Sequence, residues 1–541
     1  MNMKRMILSL AAAMFSSLAI GTGVTSSDCR PNAATMKRLA DDDTIIGIVH
    51  FSVNTFTDRE WGFGSENPKL FDPSDFNADQ IVKACADGGI RGLVVVAKHH
   101  DGFCLWPTKT TEHNITKSPF RNGKGDYVKE MSEACREHGV KFGVYCSPWD
   151  RNNAEYGRPK YVETYHEQIR ELTDGTYGPV FELWLDGANG GDGYYGGAWE
   201  KRSIPDGYYR FDEVIKFVRG HNSDLTIFGF GGEFVWPGNE NGLVDPNSGC
   251  TRGRNFHPYE ADFPLRPGWF YHQSQDGFSR SGEFLMKIYL RTVGNAATMN
   301  IGIAPDRRGR LTDEDVVSLR RFAELKRVFF ANEVTSADGP FNLIVMEEDV
   351  RKGERVDTWR LTLDGQELAK GGRIGFRRIR TFDKPCSGKN LKLEVVGKAM
   401  ENEVKVRRYH IDPDLLEKVL SASEPQRPPT PFDLRGVMTV KRPHALTFSV
   451  MYLREIRALR LTPDMSHLDG TPVVFRLAYS PDGVVWTEDE TVYRLDNVSA
   501  NPIAQCVRLT KTATAKYIRL TAERTLSEGA QVSLSGLDLV P

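Results

Sequence analysis

Four apolar runs in the first third of this sequence each end in residues that can do chemistry. Residues 44–51 (TIIGIVHF) close with His50, and residues 92–97 (GLVVVA) are followed by Lys98, His99, His100 and Asp101. Residues 140–146 (VKFGVYC) carry Tyr145 and lead into Ser147, Trp149 and Asp150. Residues 180–185 (VFELWL) carry Glu182 and Trp184 and run into Asp186-Gly187. Taken singly, each has an ordinary explanation. A strand-end histidine is usually a satisfied structural group, and an Asp before Gly usually caps a loop. Their recurrence at the same end of successive runs points instead to a ring of side chains around one site.

The residue types then select among chemistries. His99 and His100 are adjacent, and a strand would point them to opposite faces, which disfavours a shared metal. There is no HExxH, no GxSxG and no GxGxxG after the first run, so zinc-protease, serine-hydrolase and dinucleotide chemistry lack their signatures. No metal and no cofactor is expected. What remains is carboxylate chemistry with imidazole and aromatic partners. Glycosidases work this way, one carboxylate attacking the anomeric carbon while a second protonates the leaving oxygen. Asp186, at a buried strand end behind Trp184, suits the first role. For the second, the Gly-rich stretch after residue 229 offers Glu233 and Glu240, and Glu260 and Asp262 follow before Arg266 and Trp269. The residues alone leave that choice open.

Such a ring needs a scaffold. Over residues 35–330 apolar runs alternate with amphipathic segments: runs at 44–51, 92–97, 140–146, 180–185, 225–230, 269–272 and 297–303, and helical patterns at 77–88, 126–139, 162–173, 211–220, 284–294 and 311–330. A repeated βα pattern of that length predicts a (β/α)8-type barrel, whose chemistry sits at the C-terminal ends of its strands. Beyond residue 332 the helical period fades and short alternating segments take over. A Pro/Ser-rich stretch at 421–431 (SASEPQRPPTP) reads as a linker. The expected architecture is a catalytic domain over 29–332, a β-sandwich over 333–420 and a second β-sandwich over 421–541.

The chain has 541 residues, too many for one core. A net charge of -2 with 26% charged residues gives no basic footprint for nucleic acid and no polybasic membrane anchor. Lys4 and Arg5, an apolar run over 7–20 and small residues to Ser27 read as a signal peptide over 1–28, which predicts a periplasmic or secreted protein. Cys29 raises lipidation, but the preceding Asp28 disfavours it. Eight cysteines without a CxxC pair fit buried thiols better than a zinc site or a disulfide framework.

Several stretches resemble glycoside hydrolase family 29, the α-L-fucosidases, and more closely its branch acting on α-1,3/1,4 linkages. They are His50-Phe51-Ser52-Val53-Asn54-Thr55-Phe56 with Glu60-Trp61-Gly62, the KHHDGF block at 98–103, YCSPWD at 145–150, LWLDGA at 183–188, WPGNE at 236–240 and IAPDRRG at 303–309. The resemblance implies a retaining exo-α-L-fucosidase acting on fucosylated oligosaccharides or glycoconjugates. It places the nucleophile on Asp186 and the acid/base on Glu240, with Glu260 and Glu233 as alternatives. It implies fucose contacts from His50, Glu60, Trp61, His99, His100, Tyr145, Trp184, Arg266 and Trp269. Ser52, Phe63, Pro237 and an insertion around 190–205 depart from the family pattern on the leaving-group side. An α-L-galactosidase or a catalytically dead glycan-binding protein are the rival readings. The stretch from Tyr479 to Trp486 and that from Ala515 to Leu520 resemble discoidin-like carbohydrate-binding modules, which either bind sugar or buttress the barrel.

Overall fold

A computed structural model describes residues 31–40, 44–246, 257–398, 403–425, 440–442, 444–495, 498–499 and 504–540. The expected signal peptide, Cys29 and most of the expected linker lie outside the described residues.

Seven parallel strands form the catalytic scaffold: β1 (Ile45–Val49), β2 (Gly92–Lys98), β3 (Lys141–Cys146), β4 (Val180–Trp184) and, after a small antiparallel hairpin β5 (Gly191–Gly193) and β6 (Glu200–Arg202), β7 (Thr226–Phe228), β8 (Tyr259–Pro264) and β9 (Ala297–Ile303). Their order is β7-β4-β3-β2-β1-β9-β8. The two edges approach through Phe234 and Val235, which bridge to Phe228 on one side and Tyr259 on the other. The sheet thereby curls into a (β/α)8-type barrel. β1 and β2 are buried at every position, which is why they read as continuous apolar runs and not as alternating ones.

The helices follow the predicted periods closely. Ala78–Asp87 starts at Asn77, whose side chain accepts from the Gln80 N–H, and Tyr127–Glu137 starts at Asp126, which caps Lys129 in the same way. The pattern at 311–330 is one helix, Asp313–Phe329, with three acidic residues in its first turn. Helix Ala33–Ala40 closes the bottom of the barrel. Its Arg38 inserts between Glu182 and Glu260 and lies over the rings of Phe181 and Phe234.

One expected strand is misplaced. Residues 269–272 are an irregular loop, and the strand lies at Tyr259–Pro264 instead. Its sequence, YEADFP, carries two acids and a proline and so hides its burial. Both acids turn out to be buried inside the barrel.

Beyond the barrel, two three-stranded antiparallel sheets face one another. They share a core that includes Phe341, Ile344, Trp359 and Leu361. Helix Pro413–Ser421, unforeseen in the strand-rich reading, returns the chain to the barrel, where Lys418 pairs with Glu283 and Lys287 donates to the Ala422 carbonyl. The last block is a seven-stranded antiparallel sheet built on two long strands, Ala445–Thr462 and Gln505–Thr525. Breaks in their register let the sheet curl around its own core of Leu459, Phe475, Leu477 and Ile518. Among the described cysteines, Cys85, Cys104, Cys135 and Cys146 are buried free thiols.

Candidate active site

The C-terminal ends of β1 to β4 bring His50, His99, His100, Tyr145 and Asp186 together in one cluster. Asp186 lies just past the end of β4. Its Oδ1 accepts the Ala188 backbone N–H at 2.7 Å and its Oδ2 accepts the Tyr145 hydroxyl at 2.8 Å. The Nε2 of His100 stands 3.9 Å from that same Oδ2. Burial raises the carboxyl above the ordinary range, and the two hydrogen bonds oppose it. Burial likewise holds the Tyr145 hydroxyl well above its usual value, so it stays a donor.

The three histidines are neutral. Burial lowers His50 to about 3 and carries His99 and His100 well below the usual imidazole range. A neutral imidazole both donates and accepts, which suits a sugar hydroxyl better than a fixed cation does. His99 and His100 do not diverge as a strand would make them. β2 ends at Lys98, and in the turn that follows their rings lie 4.1 Å apart. His100 is fixed by Ser147 Oγ at 2.7 Å from its Nδ1.

Aromatic rings surround this cluster. Trp61 stands edge-on to His100 at 4.9 Å, and Trp269 lies 5.1 Å from His50. Tyr145 is stacked between His99 and Trp184. Trp184 sits deeper, stacked on Phe228, and its indole N–H reaches down to Glu260.

The structure separates the three candidate glutamates. Glu260 is buried in the barrel floor, where it accepts from Trp184 and Asn300 and faces Arg38 and Glu182. Glu233 is also fully buried, held by Arg219 and by the Ile227 backbone N–H. Glu240 stands on the Gly-rich loop. Its carboxylate accepts from the Trp269 indole at 3.3 Å. Glu240 is an exposed residue of that loop, but crowding at its carboxyl end raises it above the usual value, first through lost hydration and then through repulsion from Asp186 and Glu60, against the Trp269 bond.

Arg266 is not available to a sugar. All five of its N–H groups are taken: Nε by Asp315, Nη1 by the Gln275 carbonyl and Asp276, and Nη2 by Thr312 and Glu314. The family resemblance implies it as a fucose contact, but in the structure it anchors the loop that carries Trp269. Glu60 is half committed in the same way, accepting the Trp269 backbone N–H at 2.8 Å and pairing with His272 at 2.6 Å.

Two neighbours, His272 and Asp58, escape the sequence reading, and Asp262 enters it only as a further carboxylate beside Glu260. His272 is clamped between Asp58 and Glu60, which raise it to about 9 against its burial, so it stays charged. Asp262, on β8, accepts the Trp236 indole N–H at 2.8 Å. Burial raises it to about 8, helped by the nearby Glu240 and Asp186. Asp58 has a left-handed backbone that ends helix Val53–Thr57. A histidine three residues past a tryptophan and an acid inside a buried strand are the available signals.

The α-L-fucosidase family profile matches residues 24–327, more than half of the chain. The chain belongs to this family of glycoside hydrolases. Alpha-L-fucosidase 1 of Arabidopsis thaliana is 34% identical over 363 residues, covering 59% of this chain and 69% of the relative. A glycoside hydrolase 29 family member from an unknown rumen bacterium superposes with a TM-score of 0.65 at 30% identity, covering 95% of this chain and 99% of the other. A family 29 fucosidase of Ruminococcus gnavus in complex with fucose shares the fold, with a TM-score of 0.61 at 21% identity over 73% of this chain and 98% of the other. The α-L-fucosidase therefore has a family-typical barrel, and family membership implies fucosylated glycans as substrates. Among its described residues no helix is long and apolar enough to cross a membrane, and no group of His, Cys, Asp and Glu is arranged to hold a metal.

Proposed function

We propose that this α-L-fucosidase is a retaining exo-enzyme that releases terminal L-fucose by double displacement, with Asp186 as nucleophile and Glu240 as acid/base. The observation that carries the reading is the pairing of these two carboxyls. Asp186 is oriented by Tyr145 and Ala188 among three neutral imidazoles. Glu240 is the one of the three candidate glutamates whose carboxyl reaches the aromatic rings around the cluster, at Trp269.

In the first step Asp186 attacks the anomeric carbon while Glu240 gives its proton to the glycosidic oxygen, and the aglycone leaves as an alcohol. The raised affinity of Glu240 for its proton suits an acid. In the second step Glu240, now ionised, takes a proton from water. The water oxygen attacks the same carbon and expels Asp186, so that β-L-configured ester becomes α-L-fucose. His50, His99 and His100 bond the sugar hydroxyls, while Trp61 and Trp269 line the ring faces and the C5 methyl.

An Asp186→Asn variant is expected to fold and lose turnover. For Glu240→Ala, azide or a good leaving group is expected to restore rate, because the acid is then less needed. Rescue at Glu260→Ala and none at Glu240→Ala would reverse the assignment. NMR of the first-formed product reads retention directly.

The WPGNE segment supports α-1,3/1,4-linked fucose as substrate, and the hairpin β5–β6, which fills the insertion at 190–205, borders the leaving-group side. A panel of linear and branched fucosylated oligosaccharides decides the linkage. Turnover of α-L-galactosides at comparable rate would argue against a methyl-fitting pocket. On its N-terminal segment the protein is exported to the periplasm or beyond. N-terminal sequencing of the mature protein tests that.

A further inference from the structure

The segment Asp58–Gly64 carries Glu60 and Trp61, yet it belongs to no strand and to no helix interior. Something must hold it. The barrel holds its middle: Arg151 donates to the Gly62 carbonyl and Glu66 accepts from the Phe63 and Gly64 N–H groups at 2.7 Å each. Gly62 sits so close to Asn54, Asp101 and Glu66 that a Cβ there would meet atoms at 2.6–2.9 Å.

Both ends of the segment meet the C-terminal β-sheet domain. At one end, Cys506 lies beside Asp58, and each side chain shifts the other's ionisation. Asp58 in turn bonds His272, His272 bonds Glu60, and Glu60 holds the Trp269 backbone, whose indole reaches Glu240. At the other end, Phe63 and Trp199 meet edge-on at 6.0 Å, and the Arg494 guanidinium lies 4.6 Å above the Trp199 ring. Val473, Leu495 and Arg524 line the same seam. The seam encloses only about 20 Å³, room for about one water and far too little for a sugar. This is a packed joint and not a glycan subsite.

We propose that the C-terminal domain is part of the catalytic unit: through Cys506 on Asp58 and Arg494 on Trp199 it clamps the segment Asp58–Gly64, and so positions Glu60 and Trp61 for the sugar. Cys506 and Arg494 are positioning residues that touch no substrate. The proposal rests on the fucosidase reading for its kinetic consequence, but the clamp itself can be read without turnover.

The test compares wild type, Cys506→Ala with Arg494→Ala in one chain, Trp199→Ala, and Cys506→Ser. Three readouts are used: hydrogen exchange of the peptide spanning 58–64, fucose affinity by calorimetry, and kcat and KM on an aryl α-L-fucoside. In the double variant and in Trp199→Ala, exchange of that peptide is expected to quicken at least fivefold while the barrel strands keep their protection. KM and the fucose Kd are expected to rise about as much, with kcat within twofold. Cys506→Ser keeps a hydrogen-bond donor and is expected to track wild type. If both disrupting variants leave exchange of 58–64 and fucose affinity unchanged, the clamp is wrong. If exchange quickens while wild type neither binds nor turns over fucose, the clamp stands and the functional reading falls. A global rise in exchange would mark unfolding, and Trp199→Ala, made from the barrel side, then carries the decision by the same criteria.

Discussion

Replacing Tyr145 by Phe isolates what the hydroxyl does for Asp186. The ring keeps its stacking between His99 and Trp184, and Asp186 keeps the Ala188 N–H on its other oxygen. What is lost is one 2.8 Å bond to a carboxylate. A hydrogen bond to a charged group contributes about 1.5–3 kcal/mol, so losing it should raise the Asp186 carboxyl further. Burial already holds it above the ordinary value, so the shift adds to an existing displacement. The attacking form is the ionised one, and activity is lost as pH falls through this pKa. Raising the pKa therefore moves the acid limb of kcat/KM to higher pH, and the lost bond costs about 10–100-fold in rate on the acid side. The assay is the pH profile of kcat/KM on an aryl α-L-fucoside, with circular dichroism to confirm the fold. A uniform loss of rate with an unmoved acid limb would refute the reasoning, because the hydroxyl would then act on the substrate and not on Asp186.

Asp262 stays protonated up to about pH 8, and its ionisation beside Glu240 and Asp186 is unfavourable. Its contribution to stability is therefore present at low pH and lost as pH rises through about 8. In Asp262→Asn, which keeps an acceptor for Trp236, the melting temperature should fall less between neutral and alkaline pH, as differential scanning fluorimetry would show. His272 is raised to about 9 by Asp58 and Glu60, so its ion pairs stabilise the fold below its ordinary pKa and fade as pH passes about 9. His272→Gln should raise KM, and its stability deficit against wild type should shrink above that pH. Arg266→Met strips the cation from Asp315, Glu314 and Asp276 and should destabilise by about 3–5 kcal/mol in chemical denaturation. Unchanged stability with a raised KM would return Arg266 to direct sugar binding. Glu260→Gln keeps acceptors for Trp184 and Asn300 and is expected to retain turnover, with no gain from azide.

The sequence by itself determined the barrel and the ring at its strand ends. β1 and β2 are buried at every position and β3 and β4 at nearly every one, so they stand out as largely apolar runs, and the polar residues at or after their ends mark the rim where the candidate site gathers. That is how His50, His99, His100, Tyr145 and Asp186 were legible before any coordinates, and the family motifs added Glu60, Trp61 and Glu240. Tertiary structure decided what depends on packing between segments distant in the chain. Glu233, Glu240 and Glu260 look alike in sequence. Only the fold shows that Arg219 and the Ile227 N–H occupy the first, that Arg38, Trp184 and Asn300 surround the third, and that the second faces Trp269. Arg266 is a ligand by family resemblance, but Thr312, Glu314 and Asp315, nearly fifty residues on, take up much of its donor set. β8 escapes a local reading because its acids are bonded by partners from elsewhere in the chain, Arg38, Trp184 and Asn300 at Glu260 and Trp236 at Asp262, which no local period reveals. The joint between Cys506 and Asp58 spans some 450 positions of chain. Contacts of that range leave no periodic trace in a sequence, since they depend on where whole domains come to rest.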